Sequence, residues 1–164
     1  MPRLPYRWLP ALALMAAIYW FSAQPAVRVG AAMRPLNEAY PAPAIRVAGD
    51  GSRSVTLEWT KVGHAVGYFG LGAALLFALR REPRFRRGWP RQDGTVRQPG
   101  NWTAAGAAVL LAAAYAASDE LHQTAVPGRS AALLDVVLDS AAALAGVAAC
   151  LALGVTAARQ APRR

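Results

Sequence analysis

The stretch VGHAVGYFGLGAALLFAL, residues Val62–Leu79, contains 18 residues and a single side chain that can be charged near neutral pH, His64. Its length is close to the roughly 20 mainly apolar residues that a helix needs to cross a hydrocarbon core about 30 Å thick. A helix at the surface of a soluble protein carries a polar face, and this stretch has almost no polar residues to form one. The stretch therefore predicts a transmembrane helix.

Three further stretches have the same apolar character and are close to the length of a span: 6–23, 102–121 and 131–157. Together with 62–79 they predict an all-α, polytopic membrane protein whose four transmembrane helices form one bundle and one domain over residues 1–164. The alternative is a soluble bundle of four buried helices. Such helices need polar faces, and these four segments show almost none.

The first stretch also fits a secretory signal peptide, with Arg3 and Arg7 as its basic region. A cut after Ala23 would place Phe21 at the third position before the cut, where small residues are preferred. Aromatic residues at both ends of the stretch are typical of a membrane interface. We therefore favour a retained span, followed by a long outer connection, 24–60, that is rich in proline and glycine.

The 18 basic and 9 acidic residues give a net charge of +9, and four spans divide them unequally. The side with both termini and the 80–101 loop has 12 basic and two acidic residues, and the other side has six basic and seven acidic residues. The positive-inside rule then predicts a multi-pass plasma-membrane protein with both termini in the cytoplasm. The basic run 80–87 indicates contact with anionic lipids, and we do not expect nucleic-acid binding. Cys150 is the only cysteine, which excludes a disulfide framework.

Polar side chains are concentrated where the predicted spans reach the outer side. An ionisable group inside a membrane is costly, so such groups usually face the interior of a bundle or a water-filled cavity. We therefore expect one outer pocket. Its candidate ligand-binding residues are Lys61, His64, Ser118, Asp119, Glu120, His122, Gln123, Arg129, Asp135 and Asp139.

Asp135 and Asp139 are four residues apart and share one face of a helix. Two carboxylates on that face need a cationic partner, or one of them must stay protonated. The candidate partners are Lys61, His64, His122 and Arg129. Asp119, Glu120 and His122 lie too close in sequence to share one face of a helix, so we expect Glu120 to face the pocket and Asp119 to cap the helix or face the loop.

Several of these residues also have a purely structural interpretation. An Arg129–Asp135 ion pair would only hold the loop, and Asp119 or Ser118 would only end a helix. The expected close-packing glycines are Gly63, Gly67, Gly70 and Gly72. The expected interface anchors are Trp59, Trp102 and Tyr115. Imidazole with carboxylate suits zinc or manganese, but the chain has no compact ligand motif, and we predict neither a metal nor a cofactor.

The polar motifs follow a fixed order along the chain. They are Trp20-Phe21-Ser22-Ala23-Gln24-Pro25, Lys61-x-x-His64-x-x-x-Tyr68-x-x-Leu71-Gly72, Ser118-Asp119-Glu120-x-His122-Gln123, Pro127-Gly128-Arg129 and Asp135-x-x-x-Asp139. In these motifs the sequence resembles the VanZ-like family over about Trp20–Gly146. Thr60 stands where the family usually has an acid before the lysine, which argues against a lysine–acid pair there. Ala142 stands where a glycine is usual, which indicates a small change in helix packing.

The resemblance implies a small bacterial membrane protein of the cell envelope. The name-giving member of the family is linked to resistance to the glycopeptide teicoplanin, and no reaction is attached to the family. One interpretation is a non-enzymatic protein whose pocket binds an anionic or polar envelope component. Lys61 and Arg129 would bind the anion, as these side chains commonly do. The partners we expect are membrane lipids, a lipid-linked wall precursor or a lipoglycopeptide.

The second interpretation is a membrane enzyme that acts on a lipid-linked or phosphate-bearing substrate. His64 or His122 would be the base or nucleophile, and Glu120 or Asp139 its partner. The number of titratable groups in one place favours chemistry. The absence of a recognised nucleophile–base motif favours binding, which is the interpretation that we prefer.

Overall fold

The computed structural model describes residues 6–41, 44–46, 54–56, 59–82, 85, 89–90, 96–97 and 101–160. Within these residues the α-helices are α1 (Leu9–Ser22), α2 (Ala26–Ala39), α3 (Trp59–Leu79), α4 (Asn101–Gln123) and α5 (Leu133–Gln160). A 3-10 turn, Tyr6–Trp8, precedes α1. The predicted all-α class is confirmed.

Two short antiparallel ribbons accompany the helices. Strand β1 (Ala44–Arg46) pairs with β2 (Ser54–Thr56), and Ile45 lies opposite Val55. Strand β3 (Trp89–Pro90) pairs with β4 (Val96–Arg97). Both ribbons lie in connections between helices.

Three helices are long and apolar enough to cross a membrane: α3, α4 from Trp102, and α5 as far as Leu153. The first segment is different, because α1 has 14 residues and spans only about 21 Å at 1.5 Å per residue. It becomes a fourth span only if Tyr6–Ser22 and α2 are counted as one bent pair. The chain is therefore a multi-pass membrane protein with three spans, or four on that count.

The bend between α1 and α2 is 101°. Pro25 lies at the bend with φ −54° and ψ 143°, an extended conformation that cannot continue a helix. Proline also has no N–H for the helical ladder and disfavours helical geometry in the residue before it. The chain therefore ends α1 at Ser22 and starts α2 in a new direction. Our prediction of an irregular connection over 24–60 missed α2.

Helix α3 lies in the centre of the bundle and packs against each of the other four helices. It approaches α5 most closely, because a Cβ atom at Gly72 would overlap the backbone of Ala143, and one at Gly146 would overlap the carbonyl of Phe69. Small residues that allow such backbone contact are the usual basis of helix packing in membranes. The close-packing role is confirmed for Gly72.

The other three glycines of α3 differ from one another. A Cβ atom at Gly67 would lie 3.3 Å from Ile18, and one at Gly70 would lie 3.4 Å from Leu14, so both glycines face α1. A Cβ atom at Gly63 would meet nothing within 4 Å, so the close-packing prediction is wrong for that residue.

Polar contacts fix α1 on its neighbours. Near its start, Arg7 forms a 2.9 Å ion pair with Glu82 beyond the end of α3, and the Trp8 indole donates to the same carboxylate. In the middle, the Tyr115 hydroxyl donates to the carbonyl of Met15 over 2.6 Å. Tyr115 was expected to be a membrane-interface anchor, and it instead joins α4 to α1 inside the bundle.

Candidate functional site

A cavity of about 1030 Å³ lies at one end of the bundle, between α2, the start of α3, the end of α4, the loop that follows and the start of α5. Seven of the ten predicted site residues line it. They are Lys61, His64, Glu120, Gln123, Arg129, Asp135 and Asp139. The chain places them together because α4 ends where α3 and α5 begin, so the polar ends of three helices meet on one side of the bundle.

The cavity wall between α3 and α5 contains two ion pairs, one above the other. The Lys61 ammonium lies 2.6 Å from the Asp135 carboxylate, and both side chains are about a third exposed. Because Lys61 occupies this carboxylate, Asp135 does not form the loop-holding pair with Arg129 that we considered. The lysine therefore pairs with an acid on another helix, Asp135 of α5. The acid that the family usually has just before the lysine is Thr60 in this chain.

The second pair lies one turn deeper. The Nδ1 atom of His64 lies 3.3 Å from Oδ2 of Asp139, whose side chain is only 5% exposed. A carboxylate accepts hydrogen bonds, so Nδ1 carries the proton that Asp139 accepts. The imidazole is a cation when Nε2 also carries a proton, and it can act as a base when Nε2 does not. The spacing explains both pairs, because residues three apart on α3 and four apart on α5 each lie on one helix face.

Gln123 connects the carboxylates of α4 to the loop. It is buried, and its amide nitrogen donates to Asp119 over 3.1 Å and to Glu120 over 3.4 Å. Its amide oxygen accepts from the Arg129 guanidinium over 3.4 Å. A buried side chain with partners on both its donor and its acceptor is firmly oriented, so Gln123 orients the cation of the cavity.

Of the two adjacent acids of α4, Glu120 points as we expected and Asp119 does not. Glu120 does line the cavity, and its carboxylate also accepts from the backbone N–H of Ala132, the residue before α5, over 2.9 Å. Asp119 faces neither the loop nor solvent. It is buried and accepts a 2.8 Å hydrogen bond from the Ser22 hydroxyl at the end of α1. Both acids are therefore internal, on two sides of α4.

Two other predicted residues lie outside the cavity lining. His122 stacks on the ring of Tyr19 with centroids 4.6 Å apart, so it faces α1. Ser118 is exposed, and its hydroxyl donates to the carbonyl of Tyr115 in its own helix. The expected contact of His122 with His64, Glu120 and Arg129 in one pocket is therefore not what the structure shows.

The Pro127-Gly128-Arg129 turn positions the remaining cation. Gly128 has a φ of 77°, a conformation that side-chain-bearing residues rarely adopt. A Cβ atom there would also lie 3.1 Å from the Cβ of Ala26, and the N–H of Ala26 donates to the carbonyl of Pro127. The turn thereby holds α2 close and directs Arg129 into the cavity, where the guanidinium forms no ion pair with any described residue.

Helix α2 supplies a wall of the cavity that sequence reasoning missed. Its lining residues are Ala26, Val29, Gly30, Met33 and Asn37, which recur at helical spacing on one face. That spacing was a readable signal of an amphipathic helix. The glycine and proline content of the connection obscured it.

The arrangement can hold charged groups and donate hydrogen bonds. Among the residues that the structure describes, no three histidine, cysteine, aspartate or glutamate side chains converge as a metal ion would require. The cavity instead contains two internal ion pairs, one further carboxylate and one guanidinium.

Comparison with known proteins gives one match. The model of the VanZ/LLP1 family matches residues 7–154, which is most of the chain. No curated protein and no solved structure matches it.

Proposed function

The chain belongs to the VanZ/LLP1 family, and from this membership and the cavity we propose that it binds an anionic or polar component of the bacterial cell envelope. The family is linked in general to glycopeptide resistance. Binding by this chain at the outer face of the membrane would fit that link, because the components that glycopeptides meet are found there.

One observation carries the proposal: the cavity holds a guanidinium without a carboxylate partner. Lys61 is neutralised by Asp135, whereas Arg129 has only the neutral amide of Gln123 as its side-chain partner among the described residues. A cation near hydrocarbon is costly until it is paired. The planar guanidinium matches phosphate and carboxylate in bidentate geometry, so an anionic ligand is the natural partner.

The rest of the cavity suits a ligand that is polar beyond its anionic group. His64, Glu120 and Asp135 offer hydrogen-bonding atoms on three sides. A volume of about 1030 Å³ is at the upper end of the roughly 300–1000 Å³ usual for small-molecule sites. The space therefore accommodates a head group or a larger fragment of an envelope molecule.

The experiment is analysis of lipids and wall precursors in a deletion strain that is complemented with wild type, Arg129→Gln or Arg34→Gln. Arg34 is an exposed arginine of α2 outside the cavity lining, so its substitution removes the same charge elsewhere. We expect Arg34→Gln to restore the wild-type profile and Arg129→Gln to resemble the deletion, at equal protein levels. Equal complementation by both variants would exclude Arg129 as the anion-binding group.

A second candidate function, a membrane enzyme acting on a phosphate-bearing or lipid-linked substrate, is favoured by the His64–Asp139 pair. A carboxylate that fixes the imidazole tautomer is the arrangement of a general base. The pair lies in the cavity, whereas His122, the other histidine candidate, lies on Tyr19. An Asp139→Asn variant that still binds an envelope component but accumulates an unconverted one would support catalysis. Unchanged product levels would exclude it.

A further inference from the structure

We propose that the component is a membrane phospholipid, which enters the cavity sideways from the bilayer along the outer faces of α3 and α5. Its phosphate would bind Arg129, and the upper part of its acyl chains would lie along Val66, Phe69 and Leu138. This inference rests on the proposed function and specifies the class of ligand.

The first observation is that the polarity of the lining changes along the helix axis. On α3 the charged residues Lys61 and His64 come first, and the apolar Val66 and Phe69 follow. On α5 Leu138 lies between Asp135 and Asp139, and Ala142 follows them. Phe69 lies five residues beyond His64, or about 7.5 Å deeper at 1.5 Å per residue. The cavity is therefore charged at its outer end and more apolar deeper in the bundle. An amphiphile that stands upright in a bilayer has the same order, with its head group outside its acyl chains.

The second observation is that the apolar part of the lining is also an outer surface of the bundle. Val66, Phe69 and Leu138 line the cavity, yet they are 68%, 44% and 39% exposed. In a membrane that surface faces acyl chains. The wall of the cavity is therefore continuous with the lipid-facing side of α3 and α5, so a lipid can reach the charged end without leaving the hydrocarbon phase.

The third observation is that α2 covers the polar end. Val29 and Met33 face the cavity, while the charged residues Arg28 and Arg34 on other faces of α2 are exposed. A helix with one apolar and one charged face lies in the plane of the interface. Placed there, α2 covers the cavity from the aqueous side and leaves the lipid-facing surface of α3 and α5 as the entrance.

The charges match a phosphodiester. The pairs Lys61–Asp135 and His64–Asp139 are internal. Of the two charged groups that remain in the lining, Glu120 accepts from the N–H of Ala132, and Arg129 forms no ion pair with any described residue. The phosphodiester of a phospholipid carries one negative charge, and its two free oxygens match the guanidinium fork. A ligand with several phosphates would leave charge unmatched beside Glu120 and Asp135.

The test uses the full chain in nanodiscs of phosphatidylcholine that contain a minor fraction of phosphatidylglycerol with a photoactivatable group near the top of one acyl chain. Cross-linked residues are mapped by mass spectrometry. We expect cross-links at Val66, Phe69 and Leu138 that unlabelled phosphatidylglycerol competes away and that Arg129→Gln lowers about tenfold, the effect of losing one charge-assisted hydrogen bond. Leu144 is exposed on α5 outside the lining, and bulk lipid should label it without competition or dependence on Arg129.

Two further measurements separate this inference from the proposed function. Val66→Trp narrows the lateral entrance without changing charge, and it should lower the competed cross-links while Leu144 labelling stays constant. Soluble glycerophosphoglycerol, which is the head group without acyl chains, should protect Arg129 from phenylglyoxal far less than the lipid does. Protection by the soluble head group equal to that by the lipid would overturn the lipid inference and leave the proposed function standing. Cross-links that neither competitor nor Arg129→Gln changes would overturn the lipid inference, and the complementation experiment with Arg129→Gln and Arg34→Gln decides the proposed function separately.

Discussion

His64→Leu and Asp139→Leu remove opposite halves of one ion pair, and we expect them to differ greatly in their effect on the free energy of unfolding. The Asp139 side chain is 5% exposed and the His64 side chain 21%. Removing the histidine leaves a carboxylate in a poorly hydrated place without its partner. Removing the aspartate leaves an imidazole, which can shed its proton and remain neutral. Leucine fills most of the space in both variants, so packing changes little.

The expected costs follow from this asymmetry. Breaking a buried pair so that a charge stays unpaired costs about 3–5 kcal/mol, which we expect for His64→Leu. Losing one hydrogen bond to a neutral group costs about 1 kcal/mol, which we expect for Asp139→Leu. Replacing a buried ion pair by two apolar residues is often neutral, so the double variant should be more stable than His64→Leu alone.

The measurement is reversible unfolding in mixed micelles with increasing dodecyl sulfate, followed by far-ultraviolet circular dichroism. The Lys61–Asp135 pair one turn above provides the control, because its side chains are 31% and 28% exposed and remain partly hydrated. Its single leucine variants should each cost no more than about 1–2 kcal/mol. Equal costs for the two variants of the deeper pair, or a double variant that costs their sum, would refute the reasoning.

Two other predictions concern topology and the turn before α5. In a Cys150→Ser background, an impermeant maleimide added to intact cells should label Ser130→Cys and not Arg81→Cys. The reason is that the positive-inside rule places the arginine-rich loop in the cytoplasm. Labelling of Arg81→Cys alone would show the opposite orientation. Gly128→Ala should cost about 1–2 kcal/mol in the same micelle assay, because its φ of 77° is strained for alanine and its Cβ would crowd Ala26. At Gly30 a Cβ atom would meet nothing within 4 Å, so Gly30→Ala should leave the stability unchanged or raise it. Equal losses of stability at Gly30 and Gly128 would contradict the explanation from φ and crowding.

Hydropathy located the long helices well. The prediction 62–79 became α3, Trp59–Leu79, and 102–121 became α4, Asn101–Gln123. The ends of these helices are local properties of the sequence. Each segment shows by itself whether it contains an apolar run long enough to cross the hydrocarbon core. Helix α2 was missed because its apolar face is narrow and has no long apolar run.

The sequence by itself determined that charged side chains collect at one end of the bundle, since the positions of Lys61, His64 and Asp135 relative to the span ends are fixed by counting. It did not determine which partners meet. Adjacent residues on a helix point about 100° apart, so Glu120 lines the cavity as expected, while the rotation of α4 turns Asp119 toward Ser22 of α1 and away from the loop. His122 turned to Tyr19 for the same reason.

The pairing of Lys61 with Asp135 and of His64 with Asp139 depends on how far α3 slides along α5. That register is set where the Gly72 and Gly146 positions bring the two backbones together, several turns away from the charges. A contact between segments about 75 residues apart in the chain leaves no trace in the local pattern of either one. The composition of the cavity could therefore be read from the sequence, but its geometry, with Arg129 left for a ligand, is a property of the packed bundle.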